Sequence, residues 1–114
     1  MKDCIFCKII KGEIPGKFAY KDSDMVAFYD IAPKAPVHVL LVPVAHIESL
    51  KEIGETDKEL MGKLMVKARE LAEKLGIEDG FKIVVNNGKN SGQLVFHLHL
   101  HILGGWKKSP GWDV

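Results

Sequence analysis

Residues 97–103 read HLHLHIL, with histidine at every second position and aliphatic residues between and after. Alternate side chains of an extended strand share a face, so His97, His99 and His101 point one way while Leu98, Leu100 and Ile102 point the other. The aliphatic side needs a core to cover it. The opposite side is a row of imidazoles, costly to bury without partners. A lone histidine is ordinarily a satisfied hydrogen-bonding group; three in register point to chemistry.

Outward from this stretch, the chain offers partners for such a strand. In front of it, FKIVV at residues 81–85 reads as another strand, and the polar NNGKNSGQ joins the two. VHVLLVP at residues 37–43 reads as a largely buried strand closed by Pro43, with His38 on it. Residues 17–30 read as a hairpin, because KFAYK and MVAFYD flank the turn-forming DSD. Between these lies one clear helix. Thr56 and Glu59 form a capping box, and Leu60, Met61, Leu64, Met65, Ala68, Leu71, Ala72 and Leu75 recur at helical spacing until Gly76. Such a stripe ordinarily packs on a sheet. Five strands and one long helix imply an α+β domain with an antiparallel sheet.

The length of 114 residues, 46% of them hydrophobic, fits a single domain over residues 1–114. A formal net charge of +1, with lysines scattered among acids, excludes the basic stripe that tracks a nucleic-acid backbone. The longest apolar run, VLLVPVA, is too short to span a bilayer, and the N-terminus lacks a signal-peptide pattern. A soluble, cytoplasmic protein is expected.

Histidines four apart on a strand lie roughly 13 Å apart at about 3.3 Å per residue, whereas Zn–N bonds are about 2.0–2.1 Å. One ion therefore cannot easily reach both ends of the row. Two neighbours could share a catalytic ion with a third ligand from elsewhere, which would make a metal-dependent hydrolase. Alternatively one neutral imidazole acts as nucleophile or base. Periodicity does not choose between them. Cys4 and Cys7 have zinc-knuckle spacing, and a closed tetrahedral site needs two further ligands, for which only histidines remain. On spacing alone, a pair of reduced, packed thiols stands level with zinc.

HLHLHIL has the H-φ-H-φ-H-φ-φ pattern of the histidine triad family. CIFCKIIKGEIP, VAFYDIAPKAPVHVLLVP, HI at 46 and 47, VVNNG, SGQ and ILGG resemble its Hint branch in order and spacing, covering the chain to about Gly105. The resemblance implies a homodimer whose sheets join, and a purine nucleoside phosphoramidate hydrolase or nucleotidyl transferase. His99 matches the nucleophile that forms a nucleotidyl intermediate, with His101 and His38 around the phosphate. Asp30 matches a ribose-binding carboxylate. Ile5, Phe6, Ile9 and Phe28 match the base pocket, Asn86 a polar contact near the scissile group, and Gly92 and Gln93 the phosphate-side loop. Members with the C-x-x-C pair use histidines that fall on His46 and His97, which implies a structural, non-catalytic zinc on Cys4, Cys7, His46 and His97.

Without the resemblance, Asp30 reads as a turn former, Phe6 and Phe28 as core, and Asn86 and Gly92 as loop geometry. Leu94 departs from the pattern, standing where the best-known Hint proteins have a serine whose hydroxyl meets the phosphate. A backbone amide must then serve, and a nucleotide-binding module with little turnover becomes an alternative. The tail WKKSPGWDV departs as well; Trp106 and Trp112 are candidates for a specificity role there.

Overall fold

In the computed structural model, which describes residues 3–112, the DSD cluster turns the chain between β1 (Phe18–Lys21) and β2 (Met25–Tyr29). Asp22 makes this turn: its Oδ1 accepts the backbone N–H groups of Asp24 and Met25 at 2.7 and 2.9 Å. With β3 (Val37–Pro43), β4 (Phe81–Val84) and β5 (Leu100–Gly104), these strands form one antiparallel sheet in the order β1-β2-β3-β5-β4. The fold is α+β, as the patterning implies.

Each face of the sheet has its own cover. Met25, Ala27, Val39, Leu41, Leu98, Leu100 and Ile102 form one apolar cluster with Leu64, Ala68, Leu71 and Ala72 of helix α2 (Lys58–Lys74). Val26, Phe28, Leu40 and Val42 form a second cluster with Phe6 and Ile9 of the short helix α1 (Ile5–Ile10). β3 is thus buried on both faces, which explains its near-continuous hydrophobicity. Each such side chain fully buried contributes about 1.5–3 kcal/mol. Because β3 pairs with β5 with Leu40 opposite His101, the histidines lie on the α1 face.

Three local expectations are corrected. Only His101 lies within β5; His97 and His99 precede it. The ladder stops because Pro43 has no N–H to offer, and its carbonyl accepts from the His97 ring at 2.8 Å instead. The alternation survives this early stop: Leu98 is in the core beneath α2 while His97 and His99 face away from it. The Thr56–Glu59 box is absent. A 3-10 turn over Glu55–Asp57 precedes α2, and the Asp57 carboxylate accepts the Gly54 N–H at 2.9 Å. Met65, at the margin of the helical stripe, is exposed. The stop at Gly76 holds: its φ is 73°, and Ile77 N–H reaches Ala72 O at 2.8 Å in a Schellman closure.

After β5 the tail folds back over β4. Lys82 Nζ donates to Trp112 O at 2.9 Å and lies over its ring, while Trp106 lines a surface hollow with Gly76, Ile77 and residues 79–82. The final two residues of WKKSPGWDV lie outside those described. Among the described residues no helix is long and apolar enough to cross a membrane.

Candidate active site and metal site

The β3–β5 register makes His38 and His101 diagonal neighbours, since His38 lies opposite Leu103. Their rings meet with His38 Nε2 and His101 Nδ1 2.9 Å apart. The protons in this pair can be assigned from outside it. Lys34 N–H donates to His38 Nδ1 at 3.0 Å, so a neutral His38 carries its proton on Nε2. That proton goes to His101 Nδ1, which leaves His101 with an N–H on Nε2. The pair is a directed relay ending in a donor. Asp30 stands behind it with Oδ2 3.5 Å from His38 Nε2. Its other oxygen, Oδ1, accepts Ala32 N–H at 2.8 Å, so Asp30 does form a turn and still keeps a carboxylate oxygen towards the histidines.

His99 is fixed differently. Its Nδ1–H donates to the carbonyl of His97 at 2.7 Å, which puts the lone pair on Nε2. Phe6 packs edge-on against the ring with centroids 5.0 Å apart, and the His101 ring lies 4.9 Å away on another side. Burial is the main force holding His99 neutral, opposed by the bond to the His97 carbonyl. Burial likewise lowers His38, against the pull of Asp30. In His101 burial, reinforced by His99 and His38, brings the pKa down to about 4. The site is therefore a set of neutral imidazoles with assigned lone pairs and protons.

Phe6, Ile9 and Phe28 are buried together on this face, Phe6 against Phe28 at 5.3 Å, whereas Ile5 is exposed at the start of α1. Asn86 is half-buried, two residues beyond Val84, which pairs with His101. Gly92 closes a 3-10 turn (Lys89–Ser91) with φ 99°, and a Cβ there would meet nothing. Its glycine answers a backbone need, as the plain reading of that position has it. The Gln93 side chain points inward, with Oε1 on Gly88 N–H and Nε2 on Glu48 O. Leu94 is 89% exposed.

Cys4, Cys7, His46 and His97 come together, their ligand atoms all within 4.8 Å of one another. Around a tetrahedral zinc, bonds of about 2.3 Å to sulfur and 2.0–2.1 Å to nitrogen place S and N ligands about 3.5 Å apart and two nitrogens about 3.3 Å apart. The cluster has Cys4 Sγ–His97 Nδ1 at 3.3 Å, Cys7 Sγ–His46 Nδ1 and Cys7 Sγ–His97 Nδ1 both at 3.5 Å, and His46 Nδ1–His97 Nδ1 at 3.2 Å. These residues fit the ion. The bond from His97 Nε2–H to Pro43 O fixes the tautomer, leaving Nδ1 as the ligand atom. Burial, and then the adjoining Cys4 thiol, push the Cys7 thiol up, so its thiolate needs a cation beside it.

Asp30, His38 and His101 are a second group whose ligand atoms converge within 4.8 Å. Here the proton assignment runs the other way. A metal on His38 Nε2 requires the proton on Nδ1, where it collides with the Lys34 N–H.

The sequence reading missed two contributions: the Lys34 amide that orients His38, and the Pro43 carbonyl that orients His97. Both are backbone groups, invisible to residue type. The prolines flanking Lys34 in IAPKAP, which mark a rigid loop, are the nearest signal of the first.

A family description, HIT domain, matches residues 11–108. Protein HitA of Neisseria gonorrhoeae is 50% identical over 104 residues, covering 91% of this chain and 97% of that protein. Among solved structures, a HIT family hydrolase from Clostridium thermocellum is similar with a TM-score of 0.91 and 45% identity, covering 96% of each chain. A histidine triad protein from Clostridium difficile has a TM-score of 0.91 and 41% identity, covering 99% of this chain and 98% of that one.

Proposed function

This chain belongs to the histidine triad (HIT) family, and we propose that, like the Hint branch it resembles, it hydrolyses purine nucleoside phosphoramidates through a nucleotidyl intermediate on His99. The observation that carries this reading is the His99 Nδ1–His97 O bond at 2.7 Å, which directs a neutral nitrogen lone pair away from the backbone. In the first step His99 Nε2 attacks the α-phosphorus. The phosphorus–nitrogen bond to the leaving amine breaks as its nitrogen takes up a proton from water, and the His101 Nε2–H, kept on that nitrogen by the bond from His38, donates a hydrogen bond to the phosphate. The adduct leaves positive charge on the His99 ring, and the His97 carbonyl stabilises it. Water then attacks phosphorus, gives up its proton to solvent, and releases the nucleoside monophosphate and free His99.

Substrate roles follow the same face of the sheet. Asp30 holds the ribose hydroxyls; Ile5, Phe6, Ile9 and Phe28 receive the base; Asn86 contacts the scissile group. The loop containing Gly92 and Gln93 meets the phosphate oxygens through backbone N–H groups, since Leu94 brings no hydroxyl. Zinc on Cys4, Cys7, His46 and His97 cross-links α1 to the histidine segment and takes no part in the reaction. The whole chain acts as one HIT domain, working in the cytoplasm as a homodimer. The proton that the Lys34 amide keeps on His38 Nε2 speaks against the alternative of a catalytic ion on Asp30, His38 and His101.

The test is intact-mass measurement after brief mixing with an N-alkyl adenosine phosphoramidate. An adenylyl adduct on the wild type and none on His99→Ala is the expected result. Undiminished turnover by His99→Ala overturns the proposal. Nucleotide binding with no turnover on any phosphoramidate would favour the binding-module reading. Activity abolished by a chelator that leaves the fold intact would favour a catalytic metal.

A further inference from the structure

Gln93 is 2% exposed, and its side chain is fully engaged. Oε1 accepts Gly88 N–H at 2.7 Å, while Nε2 donates to Glu48 O at 2.7 Å and to Val95 O at 3.0 Å. Both amide protons are therefore used within the protein, and none is left for a ligand. The three partners tie together the two ends of the loop over residues 88–95 and the segment after β3. That segment is itself pinned. It carries His46, its Ile47 carbonyl accepts Leu98 N–H at 2.6 Å, and its Leu50 N–H donates to Asn87 Oδ1 at 2.8 Å.

Inside the loop the N–H groups of Ser91, Gly92 and Gln93 donate to the carbonyls of Gly88, Lys89 and Gly88 respectively. Those of Leu94 and Val95 have no acceptor among the described residues. They sit between the two points that Gln93 grips and lead directly to His97 and His99. The exposed Leu94 side chain does nothing to hold them. The loop's own backbone bonds and the packing of Val95 on the α1-side cluster hold it locally, and the Gln93 clamp is what joins it to the segment after β3.

We infer that Gln93 is a positioning residue: without touching substrate, its side-chain amide holds the loop so that the Leu94 and Val95 N–H groups face the phosphate that His99 attacks. The inference rests on the phosphate chemistry proposed above. Donors fixed in advance stabilise an anion without reorganising, whereas donors on a loose loop must be ordered at each binding event. Losing the clamp should therefore weaken recognition of phosphate and leave recognition of base and ribose alone.

The experiment compares adenosine 5'-monophosphate with adenosine as ligands by titration calorimetry, for the wild type, Gln93→Met and Gln93→Ala. Gln93→Met keeps the length of the side chain and removes its hydrogen bonds. It should weaken the monophosphate about tenfold while adenosine stays within about twofold, the scale of one or two charge-assisted hydrogen bonds. Unchanged monophosphate affinity, or equal loss for both ligands, overturns the inference; equal loss marks a merely structural residue. Should neither variant fold, the wild type still decides. The monophosphate, and not adenosine, should shift the backbone 15N–H signals of Leu94 and Val95, and no shift overturns the inference. Shifts at these amides without a His99 adduct would sink the hydrolase reading alone, and an adduct without shifts would sink the clamp alone.

Discussion

His99 and Leu94 mark two ends of what one residue can decide. The His99 ring is held by a carbonyl, an aromatic edge and a second imidazole, so almost any change there alters both chemistry and packing. Leu94 is 89% exposed and holds nothing, so a change there reads function with little structural cost. Leu94→Ser should leave stability within about 0.5 kcal/mol of the wild type, as surface substitutions do. Its hydroxyl adds a donor beside the phosphate, and a hydrogen bond to a charged group contributes about 1.5 kcal/mol, so kcat/KM should rise roughly tenfold. Steady-state kinetics on an adenosine phosphoramidate, with urea unfolding in parallel, checks both. An unchanged or lower kcat/KM at unchanged stability would mean that the side chain at 94 does not reach the phosphate.

At the scale of elements, α1 is the piece with least support of its own: six residues, capped by the Cys4 sulfur accepting Cys7 N–H at 3.4 Å. A helix this short is marginal unless tertiary contacts hold it, and it carries Phe6, which packs on His99. Zinc on the Cys4, Cys7, His46 and His97 cluster would supply the hold. Cys7→Ser should reduce zinc from about one ion per chain to near none and lower stability by roughly 2 kcal/mol or more, the size of a tightly bound ligand's contribution. Elemental analysis and thermal melts check this; a wild type without zinc, or a variant melting unchanged, rules out the metal latch. The elements themselves are largely legible in the sequence, because period two in HLHLHIL and helical spacing from Leu60 to Leu75 each leave one answer about which side joins the core between α2 and the sheet. The elements' ends are less so. β5 starts late because of a proline on a different strand, and α2 is entered through a 3-10 turn whose Gly54 N–H the Asp57 carboxylate accepts, where Thr56 and Glu59 look equally suitable. For the site, residue types and the resemblance mark the histidines. The His38–His101 pairing, the proton order and the inward turn of Gln93 depend on register and on backbone groups, which no residue pattern carries.

For the whole molecule, burying several imidazoles beside one another makes stability a function of pH. An ordinary histidine titrates at 6.5; in the folded chain His101 is brought to about 4 and His38 is also lowered, both chiefly by burial. The charged groups facing this pair are the Asp30 carboxylate, which favours protonation, and Lys34, which opposes it. Between pH 6.5 and about 4 the unfolded chain therefore binds a proton at His101 that the folded chain refuses, and the lowered His38 adds to this below pH 6.5. Stability is fully present above pH 6.5 and is lost as pH falls through that window, by about 1.4 kcal/mol per pH unit for each proton withheld. Because His38 and His101 share a hydrogen bond, they titrate as a pair, and a variant shows their joint effect. His101→Gln removes one titrating ring and should make the acid limb of the stability curve shallower by up to one proton's slope, whatever it does to stability at neutral pH. Urea unfolding free energies at half-unit intervals across the window, for both proteins with zinc in excess, measure the two slopes. Parallel slopes would show that His101 keeps an ordinary proton affinity in the folded chain, and the relay would then lose the neutral partner it needs.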